Sequence, residues 1–559
     1  MRTSKYLTHA LILTLLSGFA IAQQTARDSQ IHDADTLAWW HTTVALSNDR
    51  MEGRDTGTAA YQRSAEYVAG RFKAAGLVPA GDNGTYFQNV PMHEVDVDPQ
   101  GTSFVVERPG GALRLLFLQE MMVAASEESL RAGTGALTFR GYCGKDAMEG
   151  VRGKIVVCFG TQRAGLPSGG ERLANARSTG ALGVVSVDDP YFTIEPPRWP
   201  YAYARSVTLK NNVSTNGHVG AQKMPPSTLA SMLPSMRLSD EAFSKLLMGS
   251  GQDAEAILKL GGAKQPLPNF DIPGKLHVSL HLATRDIRSP NVLAVLPGSD
   301  AHVANQYVVV GAHLDGYGFG TPVKGDNLYN GALDDAAYVA LLIQMADDLH
   351  AGLVRGGGLH AVSYGRSGNF ESVVDRGIKL VAPKRSILFC AFTGEEKGLL
   401  GSMWFVQHPT VPTASLAADI NLDQLRPLFP LKILTAEALT DTTLGETARE
   451  VGKGMGIEIR EDREPERSLL RRADQYPFLQ IHVPAISFIF GYDPGTDAEK
   501  RYREWYEVRY HRPQDDVTQP MDFVAAAKFD VFFYRLVETV ANTPVRPSIF
   551  ATSQFAVQK

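Results

Sequence analysis

The stretch Tyr307-Val308-Val309-Val310-Gly311-Ala312 leads directly into His313-Leu314-Asp315, and this stretch decides the fold. A continuous apolar, β-branched run predicts a strand buried on both faces, which is typical of a parallel sheet covered by helices. Similar runs occur at 291–296, 386–392 and 417–422, and residues 336–349 have the apolar spacing of a helix. We therefore predict an α/β domain with a largely parallel mixed sheet that is covered by helices on both faces.

Side chains that bind metals follow the predicted strands, where open α/β sheets bind their ligands. They are His313 and Asp315 after the first strand, Asp334 and Asp335 before the helix, Glu395 and Glu396 after residues 386–392, Asp423 after residues 417–422, and His511 near the C-terminus. Each has an ordinary interpretation on its own, such as a helix cap. Together, converging acids and imidazoles without a cation would repel one another and lose solvation. The pattern therefore predicts one or two bound divalent cations.

The ligand types narrow the choice of metal. Imidazole and carboxylate without thiolate suit zinc, with manganese and cobalt left open. Three carboxylates and two imidazoles fit two metals that share a bridging carboxylate, about 3.5–4 Å apart. Asp315 lies two residues after His313, on the same side of an extended chain. We expect its carboxylate to accept the other imidazole N–H and fix the tautomer.

Composition excludes several classes of protein. The 559 residues carry 55 Lys and Arg against 60 Asp and Glu, a net charge of -5. No basic excess exists for nucleic-acid binding. The 3 cysteines exclude a thiolate zinc-finger cluster and a disulfide-dense fold. Whether Cys143 and Cys158 pair is left open, and Cys390 is expected to be an inert core residue.

The N-terminus has the features of a secretory signal. Arg2 and Lys5 precede an apolar stretch, and Ala20-Ile21-Ala22 supplies the small residues of a cleavage site before Gln23. An uncleaved anchor is the alternative, but the apolar stretch is short for a membrane span. No other stretch reaches about 18 uninterrupted apolar residues, so no stable span is expected after cleavage. A secreted or periplasmic location follows.

Five short motifs in a fixed order resemble a known family. They are His-x-Asp at 313–315, Asn-Gly-Ala-x-Asp at 330–334, Gly-Glu-Glu at 394–396, Asn-Leu-Asp at 421–423 and Tyr-His-x-Pro at 510–513. This order resembles the co-catalytic zinc peptidases of the secreted bacterial leucyl aminopeptidase and glutamate carboxypeptidase group, over about 30–100 and 285–545. Residues 151–157 and 176–185 resemble a protease-associated domain, which is often inserted in this group.

The resemblance implies two zinc ions per chain and five ligands, namely His313 and Asp423 for one ion, Glu396 and His511 for the other, and Asp334 as the bridge. It implies that Glu395 is the general base, with Asp315 supporting the catalytic site, and that the peptide between Asp334 and Asp335 is cis. The sequence departs from the family where Asp335 replaces a common Asn and Gln424 a common Met. Residues 473–476 lack the usual Ser and His. No departure removes a ligand or the base.

The resemblance also predicts the domain organisation. The segments are a signal peptide at 1–22, the first part of the peptidase domain at 23–112, an inserted protease-associated domain at 113–282, the peptidase domain with the di-zinc site at 283–545, and a C-terminal tail at 546–559. The role of the Gly-rich stretch at 352–370 is left open.

The predicted function is zinc-dependent removal of N-terminal residues from peptides. One alternative is a carboxypeptidase or glutaminyl cyclase on the same core, since Arg471, Arg472 and Arg512 are candidate partners for a substrate carboxylate. Another is a receptor-like binding protein without catalysis, against which the complete ligand set argues. The sequence does not decide the preferred residue, the substrate length or the oligomeric state.

Overall fold

The computed structural model describes residues 27–31, 33–210, 232–355 and 382–557, with side chains for all of these except 351–355. The predicted signal peptide and residues 356–370 of the Gly-rich stretch lie outside the described residues. No helix in the described ranges is both long enough and apolar enough to cross a bilayer.

The helices are α1 (Ala34–Ser47), α2 (Ala59–Ala74), α3 (Gly169–Ser178), α4 (Asp240–Leu247), α5 (Ala254–Gly262), α6 (Ala337–Arg355), α7 (Leu400–Gln407), α8 (Thr443–Gly454), α9 (Gln475–Gln480), α10 (Asp497–Val508) and α11 (Phe523–Asn542). The strands are β1 (Val78–Pro79), β2 (Phe87–Arg108), β3 (Gly111–Leu115), β4 (Met121–Ala124), β5 (Ala132–Arg140), β6 (Ile155–Phe159), β7 (Gly183–Val187), β8 (Arg205–Leu209), β9 (Ser235–Leu238), β10 (Asn269–Leu296), β11 (Tyr307–His313), β12 (Gly318–Val323), β13 (Asp326–Tyr329), β14 (Ser386–Phe392), β15 (Leu416–Leu422), β16 (Ile433–Glu437), β17 (Glu458–Arg460) and β18 (Ala485–Phe490).

The strands at the centre of the fold are parallel. β11 pairs in parallel with β14 on one side and β15 on the other, and β15 pairs in parallel with β18. The end of β10 joins β14 antiparallel, and β16 joins β18 antiparallel. The strand order is therefore β17-β16-β18-β15-β11-β14-β10 in this part of the sheet. The predicted α/β class, with a mixed sheet that is parallel at its centre, is confirmed.

Both faces of these strands are buried, as the unbroken apolar runs predict. In β14 alternate side chains enter two different cores: Ile387, Phe389 and Ala391 enter one, and Leu388, Cys390 and Phe392 the other. The first core is completed by α2, α6 and α11, and the second by α7 and α9. Cys390 is fully buried, in agreement with its predicted core role.

Two long strands connect this sheet to a further apolar core, distinct from the two cores on its faces. β2 and β10 pair antiparallel from Glu107 with Lys275 to Phe87 with Val292. The first half of β10 also pairs with β5, and a separate apolar core gathers there from β5, β6, β7, α4 and α5. Cys143 and Cys158 form a disulfide beside this core. β10 runs unbroken through residues 282 and 283, and the assignment of 113–282 to a protease-associated domain stays a prediction.

Candidate metal centre

Three adjacent strands deliver the candidate residues to one edge of the sheet. β11 ends at His313, β14 ends two residues before Gly394 and Glu395, and β15 ends immediately before Asp423. Since the three strands are parallel neighbours, their carboxyl ends meet. Asp334 enters from the turn that precedes α6, and His511 from the loop after α10.

The predicted ligands form two groups that share one residue. His313, Asp334 and Asp423 form one group, and Asp334, Glu396 and His511 form the other, each with ligand atoms within 4.8 Å of one another. His313 Nε2 lies 3.2 Å from Asp334 Oδ1 and 3.8 Å from Asp423 Oδ1. His511 Nε2 lies 3.4 Å from Asp334 Oδ2 and 3.3 Å from Glu396 Oε2. The two oxygens of Asp334 therefore face different histidines.

Glu395 lies beside these groups. Its Oε2 is 3.9 Å from His313 Nε2, and His313, Glu395 and Glu396 form a third set of ligand atoms within 4.8 Å. The backbone N–H of Glu395 donates to Asp315 Oδ1 at 3.0 Å. The two adjacent glutamates thus both reach the cluster, and their different contacts allow different roles.

Asp315 supports His313 differently from the prediction. His313 Nδ1 is 3.1 Å from the backbone carbonyl of Asp315 and 3.7 Å from its carboxylate Oδ1. The carboxylate is occupied by other donors, because Thr56 Oγ1 donates to Oδ2 at 2.9 Å and the Glu395 N–H to Oδ1. The nearer acceptor for the second imidazole nitrogen is therefore the carbonyl, while the carboxylate connects β11 to the Glu395 loop.

The turn that carries Asp334 is fixed by hydrogen bonds to its backbone. The peptide between Asp334 and Asp335 is cis, as the resemblance implies. Asp515 accepts the N–H of Leu333 and of Asp334, each at 3.0 Å. The carboxylate of Asp335 does not join the two ligand groups; it accepts the N–H of His313 and of Gln424.

The electrostatics of the cluster fit a bound cation. Burial raises the pKa of Glu395, Glu396 and Asp423 above the ordinary carboxyl range. Burial, reinforced by Arg198, lowers the pKa of His511 to about 4, which favours the neutral imidazole that binds metals.

Two oxygen atoms of the cluster add to this fit. Asp334 Oδ2 and Asp423 Oδ1 are buried and accept no hydrogen bond from any described residue. Buried oxygen atoms without partners carry a large desolvation cost. A divalent cation with oxygen and imidazole ligands offsets that cost, so the residues present fit zinc.

Arg54 holds the two loops of the cluster together, and the sequence analysis missed it. Its side chain is fully buried and donates to four backbone carbonyls, each at 2.8 Å, namely those of Leu46, Leu314, Asn330 and Gly331. Two of these carbonyls flank the strand end at His313 and the turn before Asp334. Arginine is ordinarily an exposed residue, so no local sequence signal could identify this role.

The arginines considered as carboxylate partners are engaged by the protein itself. Arg512 donates to the carbonyls of Trp199 and Pro200, at 2.7 and 2.9 Å. Arg472 donates to Glu195 at 2.7 Å, and the guanidinium of Arg471 lies 5.9 Å from the ring centroid of Tyr476. Of the three, Arg512 also lines the cleft beside Asp334, Glu396 and His511.

Comparison with known proteins agrees with this geometry. Residues 291–534 match the model of peptidase family M28. A probable zinc metalloprotease of Pyrenophora tritici-repentis is 25% identical over 292 residues, which is 46% of this chain and 58% of that protein. One of Pyrenophora teres f. teres is 30% identical over 272 residues, 46% of this chain and 50% of that protein. The chain thus spans only about half the length of these curated relatives.

Solved structures share the fold over nearly the whole chain. An aminopeptidase from Aneurinibacillus sp. strain AM-1 has a TM-score of 0.56 at 16% identity, covering 93% of this chain and 97% of its own. BSAP, a zinc aminopeptidase from Bacillus subtilis, has a TM-score of 0.51 at 16% identity, covering 92% and 98%. At this identity the likeness shows a common fold, and residues 291–534 are similar to peptidase family M28.

The contacts of Arg54 generate a prediction about stability. Arg54→Met should lower the free energy of unfolding by about 3 kcal/mol or more, because four buried carbonyls lose a charged donor. Chemical denaturation followed by tryptophan fluorescence measures the loss. The control is Arg63→Met, which removes a half-exposed ion pair with Glu52 and should cost less than about 1 kcal/mol. Equal losses in the two variants would contradict the role given to Arg54.

Proposed function

We propose that this chain is a two-zinc exopeptidase that removes N-terminal residues from peptides. The observation that carries the proposal is the sharing of Asp334 by two ligand groups, each with one imidazole and one further carboxylate. His313 and Asp423 would hold one ion, Glu396 and His511 would hold the other, and Asp334 would contribute to both. This arrangement follows the general pattern of two-metal hydrolytic sites.

The chain's own residues carry the proton transfers of the proposed reaction. Zinc, when bound, polarises the scissile carbonyl and lowers the pKa of bound water. Glu395 accepts the proton of the attacking water and delivers it to the leaving amine. The hydrogen bond from its backbone to Asp315 keeps Glu395 beside the ligands without using its carboxylate. No described residue donates a hydrogen bond to the Glu395 carboxylate, so it is able to accept a proton as a general base must.

Removal of residues from the N-terminus is favoured by two observations. Two of the solved structures that cover nearly the whole chain are described as aminopeptidases. Arg471 and Arg472 stack on or bond to other side chains, which leaves them poorly suited to bind a substrate carboxylate. The carboxypeptidase alternative keeps one supporting observation, the presence of Arg512 in the lining of the cleft.

The proposal extends to location and to the middle segment. The features of residues 1–22 support a secreted or periplasmic enzyme that acts on peptides outside the cytoplasm. Residues 113–282 contribute none of the proposed ligands, so we assign them a role in gating or orienting the substrate.

The metal content provides the first test. Purified protein should contain about two zinc ions per chain, a chelator should abolish peptidase activity, and added zinc should restore it. Asp334→Asn should be among the most damaging substitutions, because one carboxylate serves both ions. Metal analysis and activity assays give the answer. Full activity in a metal-free preparation would exclude the proposal.

The two adjacent glutamates provide the sharpest test. Glu395→Gln keeps the size of the side chain but removes the proton acceptor, so kcat should fall by about 10²–10⁴-fold while zinc content stays the same. Glu396→Gln is the matched variant, and it should lower zinc occupancy as well as rate. Measurement of kcat and bound zinc in both variants decides the roles. Near-normal turnover of Glu395→Gln, or zinc loss in that variant alone, would show that the roles are wrong.

The direction of cleavage is tested with blocked substrates. The enzyme should release single residues from peptides with a free amino terminus and should reject the same peptides after N-acetylation. Product masses identify which end is removed. Peptides amidated at the C-terminus serve as the control and should remain substrates. Efficient release of C-terminal residues from acetylated peptides would favour the carboxypeptidase instead.

A further inference from the structure

The imidazole of His511 has a partner on each of its nitrogens. Nε2 faces the cluster, within 3.4 Å of Asp334 and Glu396. Nδ1 lies 2.9 Å from the hydroxyl oxygen of Tyr317, and the two ring centroids are 4.6 Å apart. If Nε2 offers its lone pair to a cation, the ring proton sits on Nδ1 and is donated to Tyr317. The hydroxyl of Tyr317 therefore fixes the tautomer and the orientation of His511.

This support differs from the support of the other histidine. His313 Nδ1 is matched by the carbonyl of Asp315, two residues further along the same chain. That partner is set by local backbone geometry. The partner of His511 is a side chain from the loop after β11, far away in sequence. The position of the Tyr317 hydroxyl therefore depends on the groups that pack around its ring.

Lys397 and Tyr203 pack against the Tyr317 ring. The Lys397 ammonium lies 5.2 Å from the centroid of Tyr317 and 5.0 Å from that of Tyr203, and the two tyrosine centroids are 5.7 Å apart. Lys397 Nζ donates to the hydroxyl of Tyr203 and lies 3.0 Å from Asp55 Oδ1. The Lys397 side chain is only 3% exposed. A desolvated cation that contacts both aromatic rings stabilises their positions.

Tyr203 belongs to the middle segment of the chain, which supplies none of the proposed zinc ligands. Its own position is fixed by Arg205, whose guanidinium lies 4.4 Å from the Tyr203 centroid and pairs with Asp55. A continuous series of contacts thus runs from the middle segment through Lys397 and Tyr317 to His511. Lys397 directly follows Glu396, so the series also touches the loop of a second proposed ligand.

We propose that Tyr203, Lys397 and Tyr317 form a positioning relay that orients His511, so that the middle segment supports one of the two metal subsites. The inference rests on the proposed two-zinc function and gives the middle segment a task at the metal centre itself. The three residues are positioning residues, since Tyr317 acts on the metal subsite through His511, and Lys397 and Tyr203 act through Tyr317.

The test measures zinc affinity one equivalent at a time. Stepwise titration against a competing chelator is performed on the full chain and on His511→Ala, which identifies the equivalent that needs His511. Tyr317→Phe should lower the affinity for that zinc ion by about 10–100-fold and leave the affinity for the other unchanged. The substitution removes one hydrogen bond and keeps the ring. Tyr203→Phe should lower the affinity for the same zinc ion by a smaller factor.

A distant tyrosine provides the matched control. Tyr86→Phe removes a hydroxyl that donates to the carbonyl of Leu77 at 2.7 Å, and both zinc affinities should stay unchanged. Circular dichroism checks that each variant is folded. If Tyr317→Phe fails to fold, the same titration of Tyr203→Phe tests whether the relay supports the zinc subsite of His511.

Each outcome separates the relay from the proposed function. Unchanged affinities in Tyr317→Phe, or equal losses in both equivalents, overturn the relay while the two-zinc function stands. A loss in Tyr317→Phe without any change in Tyr203→Phe overturns the part assigned to the middle segment. If the full chain shows no zinc equivalent that depends on His511, both the relay and the proposed function are wrong.

Discussion

The crowding of carboxylates around Asp334 is the constraint on which the rest of the structure depends. Asp334, Glu396 and Asp423 are brought together with two imidazoles in a cleft where burial raises the pKa of Glu396 and Asp423. Without a cation such an arrangement is costly. The cluster is surrounded by buried residues that hydrogen-bond to the backbone beside these side chains. Arg54, Asp515 and Asp335 all bind backbone groups next to the ligands.

The centre of the fold could be predicted from the sequence because its signals are local. The strand predicted at 386–392 has those bounds in the structure, and the one predicted at 307–312 extends by a single residue to His313. Unbroken apolar runs are unambiguous where both faces of a sheet are buried. The side chains at the strand ends could be placed together for the same reason, since neighbouring parallel strands end on the same edge.

The supports of the site could not be predicted, since they depend on contacts between distant parts of the chain. Arg54 lies 260 residues before Leu314 and 276 residues before Asn330 in the sequence. It contacts them only in the folded protein. Tyr317 follows the His-x-Asp motif closely, but its partner His511 comes from the far end of the domain. The carboxylate of Asp315 was expected to face His313, but Thr56 and the Glu395 N–H occupy it. None of these partners is marked by spacing or periodicity.

The pairing of β2 with β10 has a consequence for how the protein folds. The two strands lie at 87–108 and 269–296, and an antiparallel ladder with a register shift between Ser279 and His281 joins them from the core around β5, β6 and β7 to the central sheet. The residues between the two strands form a long loop that this ladder closes. Closing a long loop costs chain entropy, so the contacts that depend on the closure form slowly. Tyr203 is in that loop, and β14 must pair beside the end of β10. The edge of the sheet that holds the proposed zinc ligands is therefore expected to form late, after the middle segment has folded.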